Sequence, residues 1–346
     1  MASKTGLTFG LITRYSFGNK GSRLASFFVP IVNIGWYTIQ SAVYGHLIAQ
    51  IFHLGAVGEG ICMVSSAIGI GIFAMIGMDA LSLLGFVAIP NIIFLSIATA
   101  IKASSVAGGM SNIFAYVPQN PISINAGLTI VIGTWIFSAA TCIADIMRYA
   151  KNIKEASLSA LLGLVGGNSL LIICGAITSI AMNDSDLTNV LLGMGLIVPG
   201  LILMSTNIWT TNAANVYSTG LNLSNALHKD KKKVTFIVLI ISALLTLTKP
   251  YQIDSLFKFL GVLGNIVPPL PGILFVDFYI LNKRNYVSLD KLSGYDWNIR
   301  AWISWAVSAF LVLKVNFGFA PLNGIIFGGL IYFVLMKLFP NKTISQ

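Results

Sequence analysis

The stretch Met204–Asn212 reads Met-Ser-Thr-Asn-Ile-Trp-Thr-Thr-Asn, and six of its nine residues carry a hydroxyl or a carboxamide. It closes a long apolar run, Val190 to Met204, where a membrane-embedded sequence has no reason to turn polar. Asn207 and Thr211 stand four apart, so on a helix they share one face, with Thr210 beside them. Neutral oxygens converging at membrane depth suit a small hard cation such as Na⁺, which needs oxygen ligands to replace its water. They also suit a polar solute. The plainer role for Ser, Thr and Asn in apolar helices is interhelical hydrogen bonding, worth about 1 kcal/mol or less per contact. A single such residue would fit that role; six in nine positions point to a site.

A second constellation runs from Gly133 to Asp145. Gly133, Thr134, Ser138 and Thr141 weaken a plain helix, and broken membrane helices expose backbone only where they line a cavity. Trp135 lies mid-run, as does Trp36 in the first apolar run, although Trp favours the membrane interface. Two aromatic faces can sandwich a flat heterocycle whose edge nearby carboxamides read.

The elements that must position these residues are membrane helices. Of 346 residues, 56% are hydrophobic and only 9% charged, with mean hydropathy +0.84; soluble domains carry about 25% charged residues. The chain is therefore an all-α polytopic membrane protein. Ten spans are expected: Leu24–Phe52, Val57–Met78, Ala80–Ile101, Asn125–Ile146, Ser157–Met182, Leu187–Thr211 with a kink at Pro199, Val234–Leu247, Ser255–Leu281, Ala301–Phe319 and Leu322–Phe339.

Charge tests that count. With residues 1–23 inside, ten crossings also put 147–156, 226–233, 282–300 and 337–346 inside, and these segments hold most of the 21 Lys and Arg. That asymmetry is the positive-inside pattern, with both termini cytoplasmic. The net charge of +10 thus reports orientation, and the run Lys229–Lys233 does not predict nucleic-acid binding. Cys62, Cys142 and Cys174 lie in apolar runs without metal spacing and read as buried thiols. Asp145 has Arg148 three residues on, Asp277 has Lys283 and Arg284 nearby, and Asp254 has Lys258 four residues on; each reads as an ion pair.

The motifs Leu11–Ser22, Asn33-Ile-Gly-Trp-Tyr37, Ala144–Asn152, Gly167-Asn-Ser169 and Asn207–Asn212 together resemble the cytosine permease branch of the nucleobase–cation symporters, from about Thr5 to Pro340. The resemblance implies a leucine-transporter-like inverted-repeat fold. The ten spans would match family helices 3–12, so residues 1–346 would form one integral membrane domain lacking family helix 1 and most of helix 2. It implies substrate contacts at Asn33, Trp36, Gln40, Trp135, Ser138 (or, one register away, Phe137) and Asn207, with Na⁺ held by Asn207, Thr210 and Thr211. Asn33 stands where cytosine permeases carry Gln, which shortens its reach.

The expected function is Na⁺-coupled symport of cytosine or a related nucleobase across the cytoplasmic membrane, with no cofactor beyond the coupling ion. The alternatives are proton-coupled transport of another purine-, pyrimidine- or hydantoin-like base, or a non-transporting, truncated membrane protein. An intramembrane enzyme would need a nucleophile–base pair or metal ligands; His46, His53 and His228 lie near span ends and show no His/Glu cluster in the sequence.

Overall fold

Apolar runs of this length have no water to satisfy their backbone, so they close their hydrogen bonds within helices. The computed structural model describes residues 1–346 apart from 119–120, 253–258, 260–262, 265, 293, 316 and 341–346, and apart from the side chains of 73, 74, 78 and 132–141. The described residues are helical with connecting turns and contain no strand. In order they form α1 (Ala2–Thr5), α2 (Phe9–Phe17), α3 (Gly21–Ser26), α4 (Phe28–Ile51), α5 (Ala56–Ala74), α6 (Met78–Val106), α7 (Met110–Phe114), α8 (Ile124–Met147), α9 (Ile153–Ala160), α10 (Asn168–Met182), α11 (Leu187–Gly193), α12 (Ile197–Leu227), α13 (Lys231–Thr246), α14 (Pro269–Phe275), α15 (Ile299–Lys314) and α16 (Ala320–Leu338).

The 24 residues of α4 extend about 36 Å at 1.5 Å per residue, enough to cross a hydrocarbon core of about 30 Å. Among the described residues, Asp79–Val106, Ile153–Met182 and Ala320–Leu338 are long and apolar enough to span by length and composition. Their outer faces carry large apolar side chains in the open: Phe86 is 79% and Phe94 73% exposed. Such a surface belongs in lipid. The helices α4 and α12 are as long but more polar, because they carry the Asn, Gln, Ser and Thr residues singled out above.

The sixth expected span differs from its sequence reading. The chain breaks between α11 and α12, at Gly195 (φ +67°), where Leu196 N–H returns to Leu191 O at 2.9 Å. Pro199 causes no kink: it sits in the first turn of α12, where a missing N–H costs nothing. The helix then runs on to Leu227, well beyond Thr211. Between α9 and α10 the wider-wound stretch Leu161–Gly167 keeps the path continuous, and a second such stretch, Val276–Leu281, follows α14.

Two apolar clusters hold the helices. One joins α4, α5, α12 and α13 through Tyr37, Leu47, Ile70, Ile208 and Leu239. Gly45 makes the α4–α5 contact possible, because a Cβ there would collide with the Met63 backbone. The other cluster seats α2 and α3 against α14, α15 and α16 through Phe9, Phe17, Leu270, Ile273 and Tyr332.

Candidate functional site

Asn33, Trp36 and Gln40 occupy successive turns along one side of α4. Asn33 is fully buried. Its Oδ1 accepts a hydrogen bond from Cys142 Sγ on α8 at 3.3 Å, while its Nδ2 has no partner. The Trp36 indole N–H and Gln40 Oε1 are likewise buried and unpaired. Leaving a buried donor or acceptor unpaired costs about 1–3 kcal/mol, so such groups are few in native proteins and call for an explanation. Three lie along one helix face, where a polar ligand or water would satisfy them together. The ring of Phe259 stands edge-on to Trp36, with centroids 6.0 Å apart and an interplanar angle of 84°. Gly35 gives it room, since a Cβ there would meet the Phe259 ring.

The polar stretch of α12 divides by task. Ser205 Oγ shares a hydrogen bond with Tyr44 OH at 2.6 Å, and Asn212 Nδ2 donates to Ser41 Oγ at 3.4 Å; both bonds tie α12 to α4. The Asn212 Oδ1 is buried and unpaired. Thr206 donates to Ile202 O and Leu203 O, and Thr210 donates to Thr206 O and Asn207 O, both at 2.9 Å. These are intrahelical back-bonds, which leave the Thr210 oxygen lone pairs for another partner. Thr211 lines a cavity of about 220 Å³ together with Cys142, Asn215, Ile146, Ser159 and Gly163. Asn207, one turn before Thr211, is half-buried. The side chains of Trp135 and Ser138 lie outside the described residues, so the structure does not place the second aromatic face. Sequence reading passed over Phe259 and Cys142, whose types carry no signal apart from their neighbours, and Asn215, which lies beyond the expected end of the sixth span.

The carboxylates at the helix ends differ from expectation. Asp145 makes no salt bridge with Arg148. It is fully buried and accepts from Phe9 N at 2.9 Å, Ser218 Oγ at 2.5 Å and Asn222 Nδ2 at 2.8 Å. Phe9 opens α2, so the carboxylate also meets a helix N-terminus. Arg148 turns to the hydroxyls of Tyr149 and Tyr217, at 2.6 and 3.2 Å. Asp277 accepts from Tyr286 OH at 2.7 Å and Tyr332 OH at 2.8 Å, while Lys283 and Arg284 take exposed turn positions. Neutral donors satisfy each carboxylate without the desolvation cost of a buried cation. The pair Asp254–Lys258 lies outside the described residues.

A His/Glu contact does form, contrary to the sequence reading. Glu59, at the start of α5, takes His46 Nδ1 at 2.8 Å, Lys249 Nζ at 2.6 Å and Tyr251 OH at 2.8 Å. Among the described residues no group of three or more His, Cys, Asp or Glu is arranged to hold a metal.

Apolar outer faces, a helix break at Gly195 and an unpaired polar face on α4 are the features of a polytopic membrane transporter. The comparisons give its family. Residues 1–335 match the family profile "Permease for cytosine/purines, uracil, thiamine, allantoin", and the chain belongs to that family. The cytosine permease of Escherichia coli (strain K12) is 30% identical over 99% of this chain and 80% of its own. The allantoin permease of Bacillus subtilis (strain 168) is 28% identical over 64% of this chain and 50% of its own. Among solved structures, Mhp1, a nucleobase-cation-symport-1 family transporter in a closed conformation with bromovinylhydantoin bound, superposes with TM-score 0.83 at 18% identity, over 99% of this chain and 83% of that one. A Na⁺-coupled sialic acid symporter superposes with TM-score 0.59 at 13% identity, over 95% and 77% of the two chains. These likenesses establish the leucine-transporter-like fold. The relatives are permeases, and the protein is a transporter, not an enzyme.

Proposed function

We propose that the protein is a secondary active transporter that carries cytosine or a closely related nucleobase, together with Na⁺, across the cytoplasmic membrane as one integral domain. The observation that carries this reading is the face of α4: Asn33 Nδ2, Trp36 Nε1 and Gln40 Oε1 are buried without partners beside an aromatic surface. A planar base with donors and acceptors on its edge satisfies such a face, and the Trp36 ring supplies stacking area. Both the cytosine permease relative and the hydantoin-bound Mhp1 support a flat heterocyclic amide as ligand. For the ion, Asn207, Thr210 and Thr211 offer oxygens without a negative charge, which suits a monovalent cation.

Proton coupling would draw on Asp145 or Asp277, the buried carboxylates without a cationic partner. Each already accepts two or more hydrogen bonds from protein donors, which favours the Na⁺ reading.

The test is binding of labelled cytosine to the purified full-length protein and to Trp36→Ala. Loss of stacking should weaken binding by roughly 1–3 kcal/mol. Equal affinity in the two proteins would remove Trp36 from the site, and absence of nucleobase binding by the parent would refute the reading.

A further inference from the structure

We propose that Cys142 is a positioning residue: its thiol fixes the Asn33 carboxamide with the nitrogen forward, and so selects bases that present an acceptor edge. The proposal rests on the nucleobase-transport reading and deepens it.

The observation is a junction of three side chains from three helices. Cys142 on α8 lies 3.3 Å from Asn33 Oδ1 on α4 and 3.8 Å from Asn215 Oδ1 on α12. Asn33 is 0% exposed, Asn215 3% and Cys142 7%. A thiol has one weakly donated hydrogen, and Asn33 Oδ1 is the nearer of the two carboxamide oxygens turned toward it. No other hydrogen bond involving the Asn33 amide appears among the described residues, and its Nδ2 is buried and unpaired. The thiol therefore decides which end of the amide the site offers. Cys142 and Asn215 also line the 220 Å³ cavity shared with Thr211, so the junction sits at the edge of open volume.

The chemistry follows from the fixed orientation. A forward N–H needs an acceptor, such as the ring nitrogen N3 of cytosine beside its O2 carbonyl. In uracil the same ring nitrogen carries a hydrogen, so two donors face each other. A site built to pair one edge rejects the analogue that leaves its buried group unpaired. Without the thiol, the amide is free to rotate about its last bond and present Oδ1, which accepts from the N3–H of uracil. Serine keeps a hydroxyl donor at nearly the same place and should preserve the orientation.

The experiment measures the ratio of cytosine to uracil affinity for the full-length protein, Cys142→Ser, Cys142→Ala, Asn33→Ala and the double variant Cys142→Ala/Asn33→Ala. The ratio should hold in Cys142→Ser and fall about fivefold or more in Cys142→Ala, the scale of discrimination by a well-placed pair. Starting from Asn33→Ala, adding Cys142→Ala should leave the ratio unchanged, because the thiol acts through the amide. A parent-like ratio in Cys142→Ala, or a uniform loss of both ligands with the ratio intact, overturns the positioning role. So does an undiminished effect in the Asn33→Ala background. A parent protein that binds neither base would instead overturn the transport reading itself.

Discussion

At the scale of single residues, the buried carboxylates separate what a sequence shows from what only a fold can. Asp145 and Arg148 are three apart, and local spacing suggests a pair. The donors that Asp145 uses come from Phe9 and Ser218, 136 and 73 residues away along the chain. Asp145→Asn turns an acceptor into a mixed group facing three donors, and each hydrogen bond to a charged partner is worth about 1.5–3 kcal/mol. The variant should be destabilised by at least that amount, read as a lowered melting temperature in detergent. Arg148→Gln should cost less in the same assay, since Arg148 bonds the hydroxyls of Tyr149 and Tyr217 and not the carboxylate. Equal losses would restore the ion pair. The candidate residues themselves were legible as types, because Asn, Gln and Trp are out of place in apolar runs. Cys142 and Phe259 were not, since a thiol and a phenyl ring are ordinary there until their neighbours are known.

At the scale of elements, most spans were legible to within about five residues, but the sixth runs 16 residues past its expected end, the eighth lies partly outside the described residues, and the breaks were not legible. Pro199 looked like a kink and is a helix opener, while Gly195 supplies the real break through a left-handed turn. The Glu59 contacts show how ends of elements are joined: His46 from α4, Glu59 from α5, and Lys249 and Tyr251 from the turn after α13 meet at one carboxylate. Glu59→Gln removes the charge that Lys249 and Tyr251 share. Amide exchange in residues 247–252 should then quicken about tenfold or more, the effect of losing one charged hydrogen bond, with α12 amides unchanged. Uniform quickening across both regions would mean that Glu59 holds the whole fold, not one junction.

At the scale of the whole molecule, composition alone set the class, and the distribution of Lys and Arg predicts an orientation that the fold by itself does not. Reporter fusions after residues 183–186 and after 229–233 should report opposite sides of the membrane, separated by α11 and α12; the same side for both would remove a crossing. The coupling of base to ion is the central claim. Asn207, Thr210 and Thr211 on α12 and the unpaired face of α4 belong to helices tied by the Tyr44–Ser205 and Ser41–Asn212 bonds. Ordering one should therefore favour the other, and the effect must be reciprocal. The direct measurement is cytosine affinity of the full-length protein as Na⁺ replaces K⁺ at constant ionic strength, for the parent and for Thr211→Val. The account predicts a rise of roughly 5–150-fold in the parent, the usual range of such coupling, and a blunted rise in Thr211→Val with affinity at saturating Na⁺ largely kept. Cytosine binding that is indifferent to Na⁺ in the parent would contradict it.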